Sequence, residues 1–265
     1  MKTFLILLLS GLSLVAQSGL RSPAFVAQLR PAAAGSYSPS DTANLFAWYK
    51  SDALLTNSTG TSPPAADESV KGWGDSSGNG RHVTTNNPTA IMPIFKSAAA
   101  IGKSQGGLEF GSGKRLRVGF TALPDTTIFV VWRAAISGGY VFATDSTNSS
   151  ARQGVYQTGS GVLKIYSGTE QTASSVVPNP SWNILCGVFT SSGNDSSYTN
   201  GVVFSTTLTS GNQSLDGLTL GSDWSGSSPL SVGEYLGEVI VYDRNLTGTE
   251  IGQVSTYLNS RWSVY

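Results

Sequence analysis

The feature that most constrains this chain of 265 residues is a dense series of short apolar runs between Leu45 and Asp243. Glycine, proline, serine, asparagine and aspartate separate the runs, and these residues supply positive φ angles or pre-set turn dihedrals. Apolar runs of this length between turns are typical of β-strands. We expect strands at Leu45–Lys50, His82–Thr85, Gly107–Phe110, Arg115–Val118, Thr127–Ala134, Tyr140–Thr144, Gly154–Gln157, Val162–Tyr166, Trp182–Thr190, Gly201–Leu208, Leu218–Gly221 and Leu236–Asp243. So many short strands favour an all-β, antiparallel jelly-roll β-sandwich over a parallel sheet.

One run is apolar at successive positions rather than at alternate ones. Thr127–Trp132 reads Thr-Ile-Phe-Val-Val-Trp. A strand that faces water on one side alternates, whereas a strand that is covered on both sides does not. We therefore expect this strand to lie centrally and to be buried on both faces.

The C-terminal segment has helical rather than strand periodicity. Its apolar residues are spaced by three, four and four positions, which places them on one face of a helix. These residues are Ile251, Val254, Leu258 and Trp262. Thr247 and Glu250 fit a capping box at the start of the segment. We expect a helix from about residue 248 to 261 that packs on the sandwich.

Charge is scarce and balanced in this chain. Lys and Arg total 16, Asp and Glu total 16, and charged residues make up 12% of the sequence, against roughly 25% in an average globular protein. A neutral chain with few cations lacks the basic patch that nucleic-acid binding requires. Aromatic residues make up 10% of the chain, which excludes disorder by composition.

The single cysteine and single histidine limit the chemistry further. Cys186 lies in an apolar run and is expected to be a buried, small hydrophobic residue. A Cys–His or Ser–His pair would have to use His82, and the chain has no G-x-S-x-G motif. One cysteine and one histidine cannot form a Cys/His zinc site. We therefore expect a protein that is not an enzyme and needs no cofactor, calcium aside.

Residues 1–18 allow two interpretations. Lys2 precedes an apolar stretch of about 13 residues, which is too short for a stable membrane span of about 20 residues. Small residues at Ala16 and Ser18 suit cleavage before Gly19, so the segment resembles a signal peptide of a secreted, extracellular or surface protein. The alternative is a hydrophobic N-terminal arm of a subunit in a larger assembly.

Residues 19–40 are expected to form a linker or extended arm because they contain prolines and a triple alanine. Four apolar side chains in this segment could pack on a neighbouring subunit, in a homo-oligomer or a larger assembly. They are Leu20, Phe25, Val26 and Leu29. The sandwich domain itself is expected to cover residues 41–265.

Three stretches resemble the laminin-G-like, concanavalin A-like lectin/glucanase family of β-sandwich domains, especially its bacterial and phage members. Leu45–Ala53 is similar to the family's opening strand, and Gly72–Val83 to its W-x-D-x-S-G-N-G-x-x-A/V turn. Gly237–Thr247 resembles the closing E-V-I-V-Y-D-R-x-L strand, whose next residues cap a terminal helix. Order and spacing agree, so the resemblance frames residues 41–265. It implies the fold and leaves the function open, because enzymes, lectins and structural modules share this fold.

The turn that resembles the family motif also has a physical interpretation. Trp73 can anchor it in the core, Asp75 can accept backbone N–H bonds, and Gly78 and Gly80 can adopt positive φ. Some relatives bind calcium through loop carboxylates and carbonyls. The resemblance therefore makes Asp75 and Asn79 the first candidates for a metal, in a loop that offers few other acids.

Non-catalytic carbohydrate recognition, in adhesion at a surface, is the first functional hypothesis. Sugars need aromatic faces for stacking and planar amides or carboxylates for their hydroxyls. Trp224, Tyr198 and Tyr140 are the loop aromatics that could serve, and Asp223 could accept sugar hydroxyls. Trp224 lies among serine, glycine and aspartate, so we expect it to be partly exposed; its alternative role is an interface or partial core anchor.

Two other classes of function stay open. A structural or decorating subunit of a virion, such as a phage particle, or of another extracellular assembly would suit the low charge and the apolar arm. A polysaccharide-degrading enzyme would need paired carboxylates, and the E-x-D-x-(x)-E string of related glucanases is absent. Glu234 and Glu238 would share a face of a regular strand, but Gly233 and Gly237 interrupt that regularity.

Overall fold

The computed structural model describes residues 37–265, except 54, 58, 60–61, 86–90, 136–137, 148–150 and 175–179. The predictions for residues 1–18 and for Leu20, Phe25, Val26 and Leu29 lie outside the described residues. A 3-10 turn at Pro39–Asp41 precedes the strands. The strands are β1 (Leu45–Lys50), β2 (Leu55–Asn57), β3 (Val70–Trp73), β4 (Val83–Thr84), β5 (Ile94–Lys96), β6 (Gly107–Glu109), β7 (Leu116–Val118), β8 (Thr126–Arg133), β9 (Gly139–Ala143), β10 (Gly154–Gln157), β11 (Leu163–Tyr166), β12 (Glu170–Ser174), β13 (Trp182–Phe189), β14 (Asp195–Thr199), β15 (Val202–Leu208), β16 (Leu218–Leu220) and β17 (Tyr235–Tyr242). The helices are α1 (Ala98–Ile101) and α2 (Gly248–Trp262).

These strands form two sheets. The eight-stranded sheet has the order β15-β14-β13-β8-β17-β6-β5, with β1 also paired to β17, and the nine-stranded sheet has the order β12-β11-β10-β9-β16-β7-β4-β3-β2. All pairings among the described strands are antiparallel. Every predicted strand is present, with ends that differ by at most one residue. The predicted antiparallel β-sandwich is confirmed.

The central strand β8 is apolar on both faces because it separates two cores. It lies between β13 and β17 in the eight-stranded sheet. Val130 and Trp132 belong to the core between the sheets, whereas Phe129 and Val131 belong to a second core on the other face of the sheet. The position predicted from the unbroken apolar run is confirmed.

Helix α2 covers that second core. Thr247 Oγ1 accepts the backbone N–H of Glu250 at 3.3 Å, and the Glu250 carboxylate accepts the backbone N–H of Thr247 at 2.8 Å. This is the predicted capping box. The apolar face of the helix is buried through Ile251, Val254, Leu258 and Trp262. The predicted helix and its packing on the sandwich are confirmed.

A buried carboxylate also joins α2 to the sheet. Glu238, on β17, is fully buried and accepts four hydrogen bonds, two at each oxygen. The donors are Trp48 Nε1 at 2.7 Å, the Tyr257 hydroxyl at 3.1 Å, Arg261 Nε at 2.8 Å and Trp262 Nε1 at 2.9 Å. Arg261 extends the network to Asp52 at 2.5 Å. No helix among the described residues is long and apolar enough to cross a membrane.

Candidate functional site

Three of the four predicted sugar-binding residues line one pocket of about 210 Å³. They are Tyr140 and the adjacent pair Asp223 and Trp224, which lies more than 80 residues further along the chain. The described residues around the pocket are Tyr140, Ala143, Thr144, Ser146, Arg152, Gln153, Gly154, Tyr166, Asp223 and Trp224. The pocket therefore combines aromatic rings, hydroxyl groups, an amide, a cation and a carboxylate.

The floor of the pocket is the outer face of the nine-stranded sheet. Val155 and Ile165 face the core, so the alternating positions Gly154 and Tyr166 face outward. Gly154 pairs with Tyr166 on one side and with Ala143 on the other. A Cβ atom on Gly154 would lie 3.2 Å from Tyr140 Cε1. The missing side chain of Gly154 thus leaves space beside the Tyr140 ring.

Two tyrosines on neighbouring strands form the aromatic part of this face. The ring centroids of Tyr140 and Tyr156 are 5.0 Å apart. Burial raises the pKa of Tyr140, the negative charge of Asp223 adds to this, and the positive charge of Arg152 opposes it. Burial also raises the pKa of Tyr156, whose hydroxyl donates to the Glu170 carboxylate. Both phenols are therefore neutral hydrogen-bonding groups near pH 7.

The loop between β16 and β17 forms one wall of the pocket, and hydrogen bonds to Asp223 hold this loop together. The Asp223 carboxylate accepts bonds from the Ser225 hydroxyl at 2.8 Å and from the Ser227 hydroxyl and N–H at 2.7 and 2.8 Å. Partial burial raises the pKa of Asp223, but hydrogen bonds from Ser227, Ser225 and Ser228 together hold it below its ordinary value. The carboxylate is therefore ionised and already engaged by its own loop.

Backbone hydrogen bonds hold this loop against β9. Tyr140 N–H donates to Ser228 O at 3.0 Å, and Gly221 N–H donates to Val141 O at 3.1 Å. Gly221 has a φ of +79°, which favours glycine. These bonds place Trp224 at the pocket, where its ring is partly buried, as expected from its polar neighbours.

Tyr198 is not part of this pocket. It lies on β14 of the eight-stranded sheet, opposite Cys186 on β13, and packs against the second core. Its role in ligand binding stays a prediction. Cys186 is buried as predicted, and burial raises the pKa of its thiol well above the usual range.

The turn around Asp75 has the predicted structural geometry. The Asp75 carboxylate accepts four hydrogen bonds: from Trp48 N–H at 2.9 Å, Ser77 N–H at 2.8 Å, Ser77 Oγ at 2.8 Å and Arg81 N–H at 3.0 Å. Burial raises the pKa of Asp75, but these bonds together hold it below its ordinary value. Gly78 and Gly80 have φ of +89° and +71°, as expected for the turn.

The metal prediction for Asp75 and Asn79 stays untested. The Asn79 amide donates to Leu45 O at 2.8 Å and to Phe46 O at 3.1 Å, so its nitrogen faces backbone carbonyls. Within the part of the chain that the structure describes, no three His, Cys, Asp or Glu residues form a group that could hold a metal ion.

A larger cavity of about 830 Å³ lies beside β2, β3 and β4. Trp73 and His82 line it, and none of the predicted ligand residues does. His82 Nδ1 accepts the Asp75 N–H at 2.9 Å, so the neutral imidazole carries its proton on Nε2. In the sequence, residues 54, 58 and 60–61 interrupt the lining segment Ser51–Pro64, and they lie outside the described residues.

Four residues at or near the pocket were not found from the sequence: Arg152, Gly154, Tyr156 and Tyr166. The strands that carry the last three were predicted correctly. Alternation along β10 and β11 could have shown that Tyr156 and Tyr166 face outward. Arg152 lies in a loop and carries no such signal.

No protein-family model matches the sequence, and no curated protein matches it. Several solved structures are similar in fold. The Trypanosoma rangeli sialidase in complex with sialic acid has a TM-score of 0.53 and 11% identity, over 83% of this chain and 33% of that chain. The binding domain of botulinum neurotoxin serotype D has a TM-score of 0.53 and 8% identity, over 80% of this chain and 50% of that chain. The binding domain of botulinum neurotoxin serotype G has a TM-score of 0.53 and 12% identity, over 82% of this chain and 52% of that chain.

This chain thus spans only about a third to a half of the length of those structures. Identities this low show a shared fold and do not establish a shared function. The chain therefore shares a fold with parts of a sialidase and of two toxin binding domains, in agreement with the β-sandwich expected from the sequence.

Proposed function

We propose that this chain is a non-catalytic carbohydrate-binding module and that a sugar binds in the pocket of Tyr140, Tyr166 and Trp224. The observation that carries the proposal is the convergence of these aromatic rings with hydroxyl, amide and charged groups. Aromatic faces stack on the C–H faces of sugars, and polar groups bind their hydroxyls. Pockets for drug-sized ligands measure about 300–1,000 Å³, so this smaller pocket suits about one sugar ring.

The comparisons support this proposal at a coarse level. Two of the similar structures are toxin binding domains, and the third is a sialidase in complex with sialic acid. Within the same proposal, we assign the domain to the laminin-G-like, concanavalin A-like superfamily of bacterial or phage type. The three motif stretches described above are the basis of that assignment.

The placement of the acids supports binding without hydrolysis. Glycosidases that retain configuration use two carboxylates about 5–5.5 Å apart. Asp223 is the one carboxylate among the described residues that line the pocket. Glu238 lies under α2, and Glu234 accepts the N–H groups of Ser231 at 2.6 Å and Ala135 at 3.2 Å. These two glutamates therefore have structural partners away from the pocket.

An extracellular or surface location suits this function, and it belongs to the proposal. It depends on cleavage of residues 1–18 as a signal peptide. The alternative, a subunit of a virion or another assembly, keeps those residues. N-terminal sequencing of the native protein separates the two, since a start near Gly19 indicates secretion and a start at Met1 or Lys2 indicates assembly.

A glycan array followed by calorimetry on the best ligand tests the proposal. We expect Trp224→Ala and Tyr140→Ala each to weaken binding about ten-fold or more, because each removes a stacking surface. Tyr265→Ala is the matched control, since Tyr265 is 56% exposed and lies outside the pocket. The proposal is wrong if the wild-type protein binds no glycan, or if both pocket variants bind as tightly as the control.

A further inference from the structure

Arg152 is the one cationic side chain among the described residues that line the pocket. Its Nε atom is buried and has no hydrogen-bond partner among the described residues. Buried N–H donors are rarely left unpaired in folded proteins, so such a group calls for an explanation. Arg152 lines the pocket, so a hydrogen-bond acceptor on a bound ligand would give its guanidinium group a partner.

The other charged groups around the pocket already have partners. Lys164 lies 3.1 Å from Glu170, and Arg117 pairs with Asp145. Arg152 forms no ion pair with any described residue within 4.0 Å. The guanidinium of Arg152 is therefore a positive charge without a counter-ion in this part of the molecule.

Asp223, the carboxylate of the pocket, is not a counter-ion of Arg152. Asp223 accepts hydrogen bonds from Ser225 and from both the hydroxyl and the N–H of Ser227. Its oxygens are thus committed to the loop between β16 and β17. The pocket presents one ionised carboxylate that is hydrogen-bonded within its own loop and one unpaired guanidinium.

We infer that the pocket selects an anionic sugar whose carboxylate or sulfate group binds the guanidinium of Arg152. This inference rests on the proposed carbohydrate-binding function and names its ligand class. Guanidinium presents paired N–H donors that match the oxygens of a carboxylate or sulfate, and such charge-assisted bonds are stronger than neutral ones. Tyr140, Tyr166 and Trp224 contact the ring of the same sugar.

An array that carries uronic, sialic and sulfated glycans beside their neutral parents tests this directly. The best ligand is then compared by calorimetry with its methyl ester, if it is a carboxylate, or with its desulfated form. We expect the acidic form to bind about ten-fold or more tightly than the neutral form. The two derivatives distinguish carboxylate from sulfate as the recognised group.

Arg152 variants locate the selectivity. We expect Arg152→Gln to lower the affinity for the acidic ligand by roughly ten- to a hundred-fold, with little change for the neutral parent. Arg152→Lys keeps the charge but not the paired donors. Its affinity for the acidic ligand should therefore lie between those of the wild-type protein and Arg152→Gln. Lys71→Gln, on β3 of the same sheet and outside the pocket, removes one charge and should change neither affinity.

The outcomes separate this inference from the function on which it rests. If the wild-type protein prefers neutral parents, or Arg152→Gln keeps the acidic preference, the anionic ligand class is wrong. Neutral binding that is lost in Trp224→Ala would still support carbohydrate recognition. If no glycan binds at all, both proposals are wrong. Should Arg152→Gln fail to fold, Arg152→Lys and the acidic preference of the wild-type protein provide the test.

Discussion

Glu238 illustrates at the residue scale how this sandwich buries a charge. A buried carboxylate is costly unless it is paired and fully hydrogen-bonded. Glu238 meets both conditions, because two indoles, a phenol and Arg261 donate to its two oxygens. Two of these donors come from the end of α2, so the carboxylate joins that helix to the sheet.

Replacement of Glu238 should therefore be strongly destabilising. In Glu238→Gln the amide NH₂ would face N–H donors, and Arg261 would lose its buried partner. We expect the free energy of unfolding to fall by about 3 kcal/mol, measured by urea denaturation. Glu68→Gln is the matched control, because the Glu68 carboxylate lies at the surface, where it accepts the Ala65 N–H at 2.8 Å. Equal, small effects of both variants would contradict this role.

At the scale of elements, local sequence predicts the long strands and α2 but misses short or polar strands. Thr127–Trp132 and the face of α2 carry strong periodic patterns. Five described strands were missed: β2, β3, β5, β12 and β14. Of these, β12 and β14 read Glu-Gln-Thr-Ala-Ser and Asp-Ser-Ser-Tyr-Thr. Such sequences have no apolar alternation of their own. They become strands because β11 and β13 present unpaired backbone groups beside them.

The packing of α2 on β17 depends on the absence of a side chain at Gly237. A Cβ atom there would lie 2.4 Å from Trp262 Cη2, at a shift in register of the strand. We expect Gly237→Ala to lower the free energy of unfolding by about 1–3 kcal/mol through overpacking. Gly252→Ala, on the exposed face of α2 with nothing within 4 Å, should raise it by about 0.5–1 kcal/mol. Chemical denaturation measures the free energy of unfolding of both variants. A Gly252→Ala variant that is less stable than the wild-type protein would contradict the prediction.

The N-terminus of α2 should contribute a pH-dependent stability. The ion pair with Arg244, followed by the hydrogen bond from the Thr247 N–H, lowers the pKa of Glu250 from 4.5 to about 2. A carboxyl with a depressed folded-state pKa stabilises the fold above its unfolded pKa, and this contribution is lost as the pH falls towards 2. We expect Glu250→Gln to cost up to about 1 kcal/mol at pH 7. The difference in the free energy of unfolding between this variant and the wild-type protein should disappear between about pH 4.5 and pH 2. A difference that stays constant with pH would show that the ionised Glu250 carboxylate is not its cause.

At the scale of the whole molecule, the described residues of the two cores come from positions 37–265. The segment before β1 is tied to the sheet, since the Tyr242 hydroxyl donates to Pro39 O at 2.9 Å. We expect a chain that begins at Tyr37 to fold alone, with a free energy of unfolding within about 1 kcal/mol of the full chain. Denaturation and glycan binding measured on both chains test this. Loss of cooperative unfolding in the shorter chain would show that residues 1–36 are needed.

The sequence by itself determined twelve of the seventeen described strands, the terminal helix, and how the Asp75 turn closes. Each of these is encoded by periodicity, capping residues and turn residues that are close in the chain. Only the tertiary structure brought Tyr140, Asp223 and Trp224 to one pocket with Arg152 and left Tyr198 on the other sheet. That grouping depends on β16 pairing with β9 across some 75 residues of intervening chain, and local patterns do not encode the order of strands in a sheet.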